Sequence, residues 1–250
     1  MNSELRARFA ELHQPGNPIL LYNIWDVGSA KAVAAGGARA LATGSHPLSE
    51  ANGFPDGERI PFNLFLDCVR RIAQSVDLPV SADFEGGFAV DPARLAEHAR
   101  YLAQTGVVGC NFEDQEIGGP GLHPIGHQAA RVAAVVESGL WVNARTDLFL
   151  RKLIAGGNPN DRSLMSEAIE RAHAYAESGA HSFFVPGVSD LDLIADICAA
   201  SPLPVNVIKG DSMDLAATAK AGVGRISWGP RPWRWAMERL TQEAKALYAG

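Results

Sequence analysis

Three acidic residues stand at the ends of two short apolar runs in this 250-residue chain. Asp83 and Glu85 come at the end of PVSADF (79–84), and Glu113 ends VGCNFE (108–113). Carboxylate oxygens are the ligands that Mg²⁺ prefers, and the ion keeps several waters beside one or two carboxylates. No histidine lies beside these groups at ligand spacing, so a zinc site is not expected. The residue types predict a Mg²⁺ site at the C-terminal tips of parallel strands, over a small-molecule pocket.

Polar residues alternate along these runs and along WVNART (141–146), which is typical of strands with one polar face. The set predicted to point into one interior is Ser81, Asp83, Glu85, Asn111, Glu113, Asn143, Arg145 and Asp147. Beside a metal, Arg145 is suited to clamp a substrate carboxylate and to stabilise a developing enolate-like oxyanion. The alternative is structural: Arg145 would pair with Glu113 or Asp83 and only complete the rim.

Asp56 lies in the motif GFPDG, within the long loop that follows the second apolar run. A carboxylate that this loop carries over the metal site would serve as a nucleophile, a base or an orienting group. An Asp followed by Gly is also common in plain β-turns, and that alternative stays open.

Eight short apolar runs alternate with amphipathic helical segments from one end of the chain to the other. The predicted strands lie within residues 19–25, 39–44, 79–84, 108–113, 141–146, 181–186, 204–208 and 224–228. The predicted helices lie near residues 28–35, 62–76, 92–104, 127–137, 164–178, 190–200, 212–221 and 231–247. These repeats predict one (β/α)8 TIM-type barrel domain over 1–250, with an extra N-terminal helix at 3–13 that caps its bottom. An open doubly wound sheet is the alternative, but the sequence lacks its usual Gly-rich phosphate loop.

The loops at the two ends of the predicted strands differ in length and composition. The turns from helix to strand are short and contain glycine, whereas the loops 44–61 and 114–126 are long, polar and rich in Gly and Pro. Long loops on one face of a rigid scaffold usually carry function. The acidic residues lie at that same face, so two separate features of the sequence place the site there.

The formal charge of −6 and the pI near 5.6 argue against nucleic acid or an anionic membrane as the main partner. No apolar run approaches the ~20 residues that span a bilayer. The N-terminal segment is charged and amphipathic and has no apolar signal-peptide core. We therefore expect a cytoplasmic protein without nucleic-acid or membrane partners.

Taken together, eight motifs make the chain resemble the isocitrate lyase/phosphoenolpyruvate mutase superfamily over nearly its whole length. They are NIWDVGSA (23–30), GFPDG (53–57), ADFEGGF (82–88), NFEDQ (111–115), NARTD (143–147), FFVPG (183–187), PVNV (204–207) and GVGRISWG (222–229). The resemblance implies a (β/α)8 barrel that binds Mg²⁺, with Mn²⁺ as an alternative, and 2-oxo acids such as pyruvate, oxaloacetate or phosphonopyruvate. It implies C–C or P–C bond chemistry through a pyruvate-enolate-like species. It also implies a homo-oligomer, a tetramer or dimer, because members commonly form tetramers by exchanging C-terminal helices.

Carried over residue by residue, the resemblance assigns three metal-binding residues. Asp83 matches the principal metal carboxylate, and Glu113 matches the next acidic position, which acts through a metal-bound water. Glu85 occupies the second acidic position, where Asp is more usual, so its longer side chain alters how it meets the metal.

The resemblance also assigns the substrate contacts. Arg145 matches the arginine that binds the substrate carboxylate, and Asp56 matches the loop aspartate implicated in catalysis. The further residues expected to contact the bound oxo acid are Thr43, Gly44 and Ser45, through their backbone, and Asn206 of PVNV.

Departures from the superfamily pattern narrow the expected reaction. The loop EDQEIGGPGLHPIG (113–126) lacks the Cys and Lys of isocitrate and methylisocitrate lyases and the Asn of phosphonopyruvate mutases. Gln115 replaces the mutases' Lys, and Pro186 replaces their His. We therefore expect a lyase or hydrolase of an oxaloacetate-type 2-oxo acid, ahead of a carboxyphosphonoenolpyruvate- or phosphonopyruvate-type mutase. A metabolite-binding barrel without turnover and a metal-dependent 2-oxo-acid aldolase stay open as alternatives.

Overall fold

Eight parallel strands form the centre of the molecule, in a computed structural model that describes residues 2–249. The strands are β1 (Ile19–Leu21), β2 (Leu41–Ala42), β3 (Val80–Asp83), β4 (Gly109–Glu113), β5 (Trp141–Arg145), β6 (Ser182–Phe184), β7 (Val205–Ile208) and β8 (Arg225–Ser227). Their hydrogen-bonded order is β1-β8-β7-β6-β5-β4-β3-β2. The Ile24 N–H donates to the Ala42 carbonyl (2.9 Å), which brings the first and last strands of this order together. This nearly closed barrel confirms the predicted TIM-type fold.

Helices surround the barrel and extend beyond it. They are α1 (Asn2–Glu11), α2 (Val27–Ala35), α3 (Ser45–Ala51), α4 (Phe62–Gln74), α5 (Pro92–Ala103), α6 (Ile125–Val136), α7 (Leu148–Ile154), α8 (Met165–Glu177), α9 (Leu191–Ala200), α10 (Leu215–Lys220) and α11 (Arg231–Tyr248). All eight helices predicted to alternate with the strands are present, so this alternation is confirmed. No helix within residues 2–249 combines the length and the apolar character that a membrane crossing needs.

Two short helices, α3 and α7, were not predicted from the sequence. The segment of α3 reads as a loop because it contains Pro47, but proline is tolerated in the first turn of a helix. The seven residues of α7 are too few to display a helical repeat. Both helices follow a strand tip, so they belong to the strand-to-helix connections on the face where the site is expected.

The apolar residues of the central strands pack outward against the helices. The alternating residues predicted to face the helices are buried in the main core cluster: Val80, Ala82, Phe84, Phe112, Val142 and Ala144. The intervening polar residues of the same strands are therefore left to fill the barrel interior.

The N-terminal segment covers the bottom of the barrel, as predicted. Phe9 of α1 and Leu12 just after it are buried in a second, smaller cluster with Val108, which precedes β4, and the partly buried Trp141 of β5 lies against it. Burying each such Phe or Leu side chain contributes roughly 1.5–3 kcal/mol. This closed end leaves the opposite, C-terminal end of the strands to form the site.

Candidate active site

A cavity of about 440 Å³ opens at the C-terminal ends of the strands. Five of the predicted site residues line it, namely Ser45, Asp56, Glu85, Glu113 and Arg145. They follow or end β2, β3, β4 and β5, so closure of the barrel brings together side chains that are distant in sequence. Catalytic groups of this fold are expected at this end.

Asp83, the last residue of β3, is fixed by the two neighbouring strands. Its N–H donates to Thr43 Oγ1 (2.8 Å), and its Oδ2 accepts from the Ser45 N–H (3.1 Å). Its Oδ1 accepts from Asn111 Nδ2 at 3.4 Å. Burial raises the pKa of this carboxyl, and the Arg145 guanidinium opposes that rise. Asp83 is thus a buried carboxylate held beside the cavity.

Glu85 reaches the cavity by a different route from the one predicted. Strand β3 ends at Asp83, and Glu85 has a φ of 50°, so the strand alternation does not extend to it. Its carbonyl accepts from the Glu113 N–H (2.9 Å), and its carboxylate accepts from the Glu58 N–H (2.9 Å). Burial, together with the charges of Asp56 and Asp83, raises the pKa of Glu85 to about 8. The turn, not the strand, aims this side chain.

Arg145 lies between two carboxylates. Its Nη1 pairs with Glu113 Oε2 (2.8 Å), the residue opposite it on β4, while Nε and Nη2 donate to the two oxygens of Asp147 (2.5 and 2.9 Å). Asp147 lies past the end of β5, at the start of α7, so the strand alternation does not extend to it either. The ion pair with Glu113 that the structural alternative proposed is present. Two of the five guanidinium donors remain for a ligand.

The charged groups around Arg145 shift the pKa of Glu113 and of Arg145 itself. Burial raises the pKa of Glu113 well above its usual range, although Arg145 opposes the rise. The Asp147 and Glu113 carboxylates outweigh burial at Arg145 and raise the pKa of its guanidinium. Arg145 therefore stays charged, and the carboxylates around it lack enough positive charge to balance them.

The backbone donors predicted to bind the oxo acid are already occupied. The N–H of Thr43 donates to the Ser81 carbonyl (2.9 Å), and that of Gly44 donates to the Ile24 carbonyl (3.1 Å). The Ser45 N–H donates to Asp83, as described above. Of this stretch Ser45 lines the cavity, whereas Thr43 and Gly44 are buried and do not.

Asn206 is also buried in the barrel and does not line the cavity. It lies opposite Arg225 on the neighbouring strand β8. Its Oδ1 accepts from Ser227 Oγ at 3.4 Å, whereas its Nδ2 has no hydrogen-bond partner within residues 2–249. A buried donor without a partner is costly, so this amide is available to an acceptor that enters the barrel.

Arg225 is a buried cation that the sequence analysis did not single out. It is 1% exposed inside the barrel, and its Nη2 donates to Asn111 Oδ1 (3.0 Å). Asn143 Nδ2 donates to the same oxygen (2.8 Å), so the amide of Asn111 is turned with its own Nδ2 toward Asp83. Burial lowers the pKa of Arg225 to about 10, and the Asp83 carboxylate opposes that shift. These hydrogen bonds fix the orientation of the Asn111 amide beside Asp83.

Asp56 lies in a turn of the loop between α3 and α4, and it also faces the cavity. Asp56 therefore lies in a turn, as the structural alternative expected, and also reaches the cavity, as the catalytic hypothesis expected. The loop is fastened by Glu58, whose N–H donates to Glu85 and whose carboxylate accepts from the Phe88 N–H (2.7 Å). The φ angles of Glu58, Glu85 and Phe88 are 57°, 50° and 56°, which is strained backbone for side chains of this size. The sequence analysis missed Glu58, although it directly follows the motif.

Asp114 is a second residue that the sequence analysis missed, and it holds the Arg145 cluster in place. It is fully buried, its Oδ1 accepts from the Asp147 N–H (3.0 Å), and its Oδ2 accepts from Tyr175 Oη (2.8 Å) and from Arg171 Nη1 (3.0 Å). Its position directly after Glu113 was the sequence signal that could have identified Asp114 as a site residue. Helix α8 thus anchors the strand ends that carry the site.

The cluster suits a hard cation held partly by water. No group of three or more His, Cys, Asp or Glu side chains within residues 2–249 forms a ready-made metal cage. Asp83, Glu85 and Glu113 nevertheless offer only oxygen donors, and the Asp83 charge raises the pKa of both Glu85 and Glu113, so a cation among them would be stabilised. Mg²⁺ commonly uses one or two carboxylates and several waters instead of an all-protein cage. The donor set therefore fits Mg²⁺.

The sequence profile of phosphoenolpyruvate phosphomutase matches residues 9–248. The chain belongs to this family. Family members among curated proteins include an oxaloacetate decarboxylase of Rhodopseudomonas palustris HaA2, 30% identical over 79% of this chain and 68% of the relative. A Mycobacterium tuberculosis H37Rv protein of uncharacterised function is 31% identical over 97% of this chain and 89% of its own. The predicted membership of the isocitrate lyase/phosphoenolpyruvate mutase superfamily is confirmed.

Solved structures of other proteins share the whole fold of this chain. A Burkholderia cenocepacia J2315 protein, provisionally described as a phosphonomutase, is 41% identical, with a TM-score of 0.92 over 97% of this chain and 99% of its own. A phosphonopyruvate hydrolase, crystallised with oxalate and Mg²⁺, is 21% identical, with a TM-score of 0.82 over 100% of this chain and 88% of its own. The relatives of this chain include lyases and a protein described as a phosphonomutase, so it is an enzyme of this superfamily.

Proposed function

We propose that this enzyme is a Mg²⁺-dependent lyase that removes carbon dioxide from oxaloacetate or a similar 2-oxo diacid. The observation that carries the proposal is that Glu85, Glu113 and Arg145 line the same cavity of about 440 Å³. The family relationship to an oxaloacetate decarboxylase supports the same reaction class. The missing Cys and Lys in the loop after β4 argue against the isocitrate lyase reaction.

Asp83, Glu85 and Glu113 are the residues that would hold the ion, and Mn²⁺ would suit the same oxygen donors. When bound, the ion would supply polarisation of the 2-oxo group and partial neutralisation of charge that develops on its oxygen. The phosphonopyruvate hydrolase of the same fold, crystallised with Mg²⁺, supports the choice of metal.

The chain's own residues would orient the substrate and move one proton. Arg145, prearranged by Glu113 and Asp147, would bind the C1 carboxylate with its two remaining donors. The C3–C4 bond breaks, its electron pair forms the C2–C3 double bond of pyruvate enolate, and carbon dioxide leaves. A proton then adds to C3 to give pyruvate. Asp56, the exposed carboxylate at the cavity, would relay that proton from solvent.

Turnover of a substrate panel tests this function. Oxaloacetate, phosphonopyruvate and 2-methylisocitrate would be incubated with the enzyme, with and without Mg²⁺, and products followed by NMR. Mg²⁺-dependent pyruvate from oxaloacetate, inhibited by oxalate, is the expected result. Oxalate with acetate as products would indicate a hydrolase instead. Tight oxalate binding without any product would favour the metabolite-binding alternative.

A phosphonomutase is the second candidate function, and it rests on the 41% identical Burkholderia cenocepacia protein. Gln115 lines the cavity where the mutases carry a Lys, which weighs against this candidate. Conversion of phosphonopyruvate to phosphoenolpyruvate in the same panel would establish it.

We also propose that the enzyme forms a homo-oligomer, a dimer or tetramer, in which α11 packs against a second copy of the chain. Apolar residues follow the helical period along α11, and two of them, Leu240 and Leu247, are 63% and 74% exposed. A groove of about 490 Å³ lies along the outer face of β1, where Leu20 and Tyr22 are also exposed. Exposed apolar surface of this kind marks association sites.

Light scattering after gel filtration would test the assembly. The native chain should elute as a dimer or tetramer, and the double variant Leu240→Glu/Leu247→Glu should elute as a smaller species. A native chain that elutes as a monomer at micromolar concentration would refute the assembly.

A further inference from the structure

A second arginine lines the cavity that contains Arg145. This residue is Arg59, in the loop between α3 and α4, and neither the predicted motifs nor the reaction above uses it. Arg59 is exposed, and none of the ion pairs formed within residues 2–249 involves it. A guanidinium without a partner at a substrate cavity is suited to bind an anionic group in a bidentate manner.

The backbone on both sides of Arg59 is anchored. Before it, Glu58 donates its N–H to Glu85 (2.9 Å) and accepts the Phe88 N–H (2.7 Å). After it, Ile60 is buried in the main core at 2% exposure. The Arg59 side chain therefore starts from a fixed point at the cavity, and a fixed starting point lowers the entropic cost of binding.

Arg145 cannot serve two anionic groups of one substrate equally well. Three of its five donors are engaged by Glu113 and Asp147, as described above. The two donors that remain suffice for one carboxylate. A ligand with a second anionic group would need another cationic partner, and Arg59 is the remaining guanidinium among the cavity-lining residues of the described chain.

The size and lining of the cavity fit a ligand longer than oxalate. A volume of about 440 Å³ lies within the usual range of small-molecule sites, roughly 300–1,000 Å³. Part of the wall is apolar, formed by Ile117 and Leu150. The Arg151 guanidinium donates to the Pro120 carbonyl and so ties α7 to the loop that carries Ile117. This wall suits the carbon chain of a short diacid.

We propose that Arg59 binds the distal anionic group of the substrate, a second carboxylate or a phosphonate, while Arg145 binds the C1 carboxylate. The assignment rests on the proposed function, and it narrows the substrate class to 2-oxo acids that carry an anion at the far end of a short chain. A monoanionic 2-oxo acid such as pyruvate leaves Arg59 without a partner.

Calorimetry with three ligands and Mg²⁺ present tests this assignment. Oxalate probes the inner position alone, 3,3-difluorooxaloacetate adds a distal carboxylate, and phosphonopyruvate adds a distal phosphonate. Arg59→Gln should weaken one or both distal-anion ligands by about 10- to 100-fold, the value of a charge-assisted hydrogen bond. Oxalate affinity should change by less than about twofold, since no distal anion is present. The ligand with the larger loss identifies the native distal group.

Two further variants separate binding from folding. Arg59→Lys keeps the charge but loses the fork, so it should give an intermediate loss. Arg94→Gln, which removes an exposed arginine from α5, should leave all three affinities unchanged. With a turned-over diacid, Arg59→Gln should raise KM while kcat changes little.

The possible failures are distinguishable. Equal weakening of oxalate and of both distal-anion ligands would show that Arg59 supports the inner site structurally, and no weakening at all would show that it contacts no ligand. Either result overturns the assignment and leaves the proposed function standing. Failure of the native enzyme to bind oxalate would overturn the proposed function and this assignment with it.

Discussion

The contact between Glu58 and Phe88 should control both the stability of the enzyme and the position of Glu85. The Glu58 carboxylate accepts the Phe88 N–H at 2.7 Å, in a segment where Glu58, Glu85 and Phe88 all have positive φ. A hydrogen bond to a charged group contributes about 1.5–3 kcal/mol. Glu58 is only partly buried, so we expect the lower half of that range for Glu58→Ala, about 1.5–2 kcal/mol.

Thermal unfolding and Mg²⁺ titration together measure this effect. For a chain of this length, 1 kcal/mol corresponds to a shift of about 2–4 °C, so Glu58→Ala should lower the Tm by about 3–8 °C. Glu58→Gln keeps an acceptor for the Phe88 N–H and should lose less than half as much. Glu58→Gly removes the acceptor but relieves the positive φ, and should fall between the two. If the alanine and glutamine variants share the native Tm and Mg²⁺ affinity, the contact does not support the site.

Three more perturbations test other parts of the structure. Asp83→Asn should weaken Mg²⁺ binding at least about 10-fold by calorimetry, since it removes a proposed ligand charge, whereas Asp67→Asn at an exposed position of α4 should not. Unchanged Mg²⁺ affinity of the Asp83 variant would refute the metal assignment. Tyr175→Phe removes a donor to Asp114 and should lower the free energy of unfolding by about 1–2 kcal/mol in chemical denaturation, with Tyr101→Phe at an exposed position of α5 as a neutral control. Equal stabilities would mean that Asp114 needs no support from α8. Burial and the charge of Arg225 lower the pKa of His13 to about 3, below its unfolded value near 6.5. The contribution of neutral His13 to stability is therefore complete above pH ~6.5 and declines toward pH 3 by about 1.4 kcal/mol per pH unit. His13→Gln should reduce the slope of unfolding free energy against pH by one proton over this range, and an unaltered slope would refute this role of His13.

The strand alternation predicted side-chain direction only as far as each strand runs. Within β3 to β5 it placed Asp83, Asn111, Asn143 and Arg145 in the interior, because successive residues of an extended chain face opposite sides. It does not account for the direction of Glu85 and Asp147, where the backbone leaves the extended conformation at a positive φ or a helix start. Both side chains still join the cluster, through local turns that the residue pattern does not specify.

The contacts that fix the site across the barrel could not be predicted from single runs. Arg225 reaches Asn111 over a separation of 114 residues, and that contact depends on the register of strands around the closed barrel. The GRISW run predicted a strand without showing that its arginine faces inward. The reciprocal contacts of Glu58 depend in the same way on how the loop after α3 folds back onto the turn after β3.

The buried charges of this site are arranged so that each supports a neighbour before any ligand arrives. Arg171 and Tyr175 fix Asp114, Asp114 fixes the backbone of Asp147, and Asp147 fixes Arg145. Removing one side chain from this series of contacts leaves a buried charge without its partner, which costs more stability than the contact itself contributes. Substrate would therefore meet a guanidinium that is already oriented, and the cost of orienting it is met during folding instead of binding. The Glu85 carboxylate has no such cationic partner, and the charges of Asp56, Asp83 and Glu58 raise its pKa, which is the physical reason to expect a divalent cation beside it.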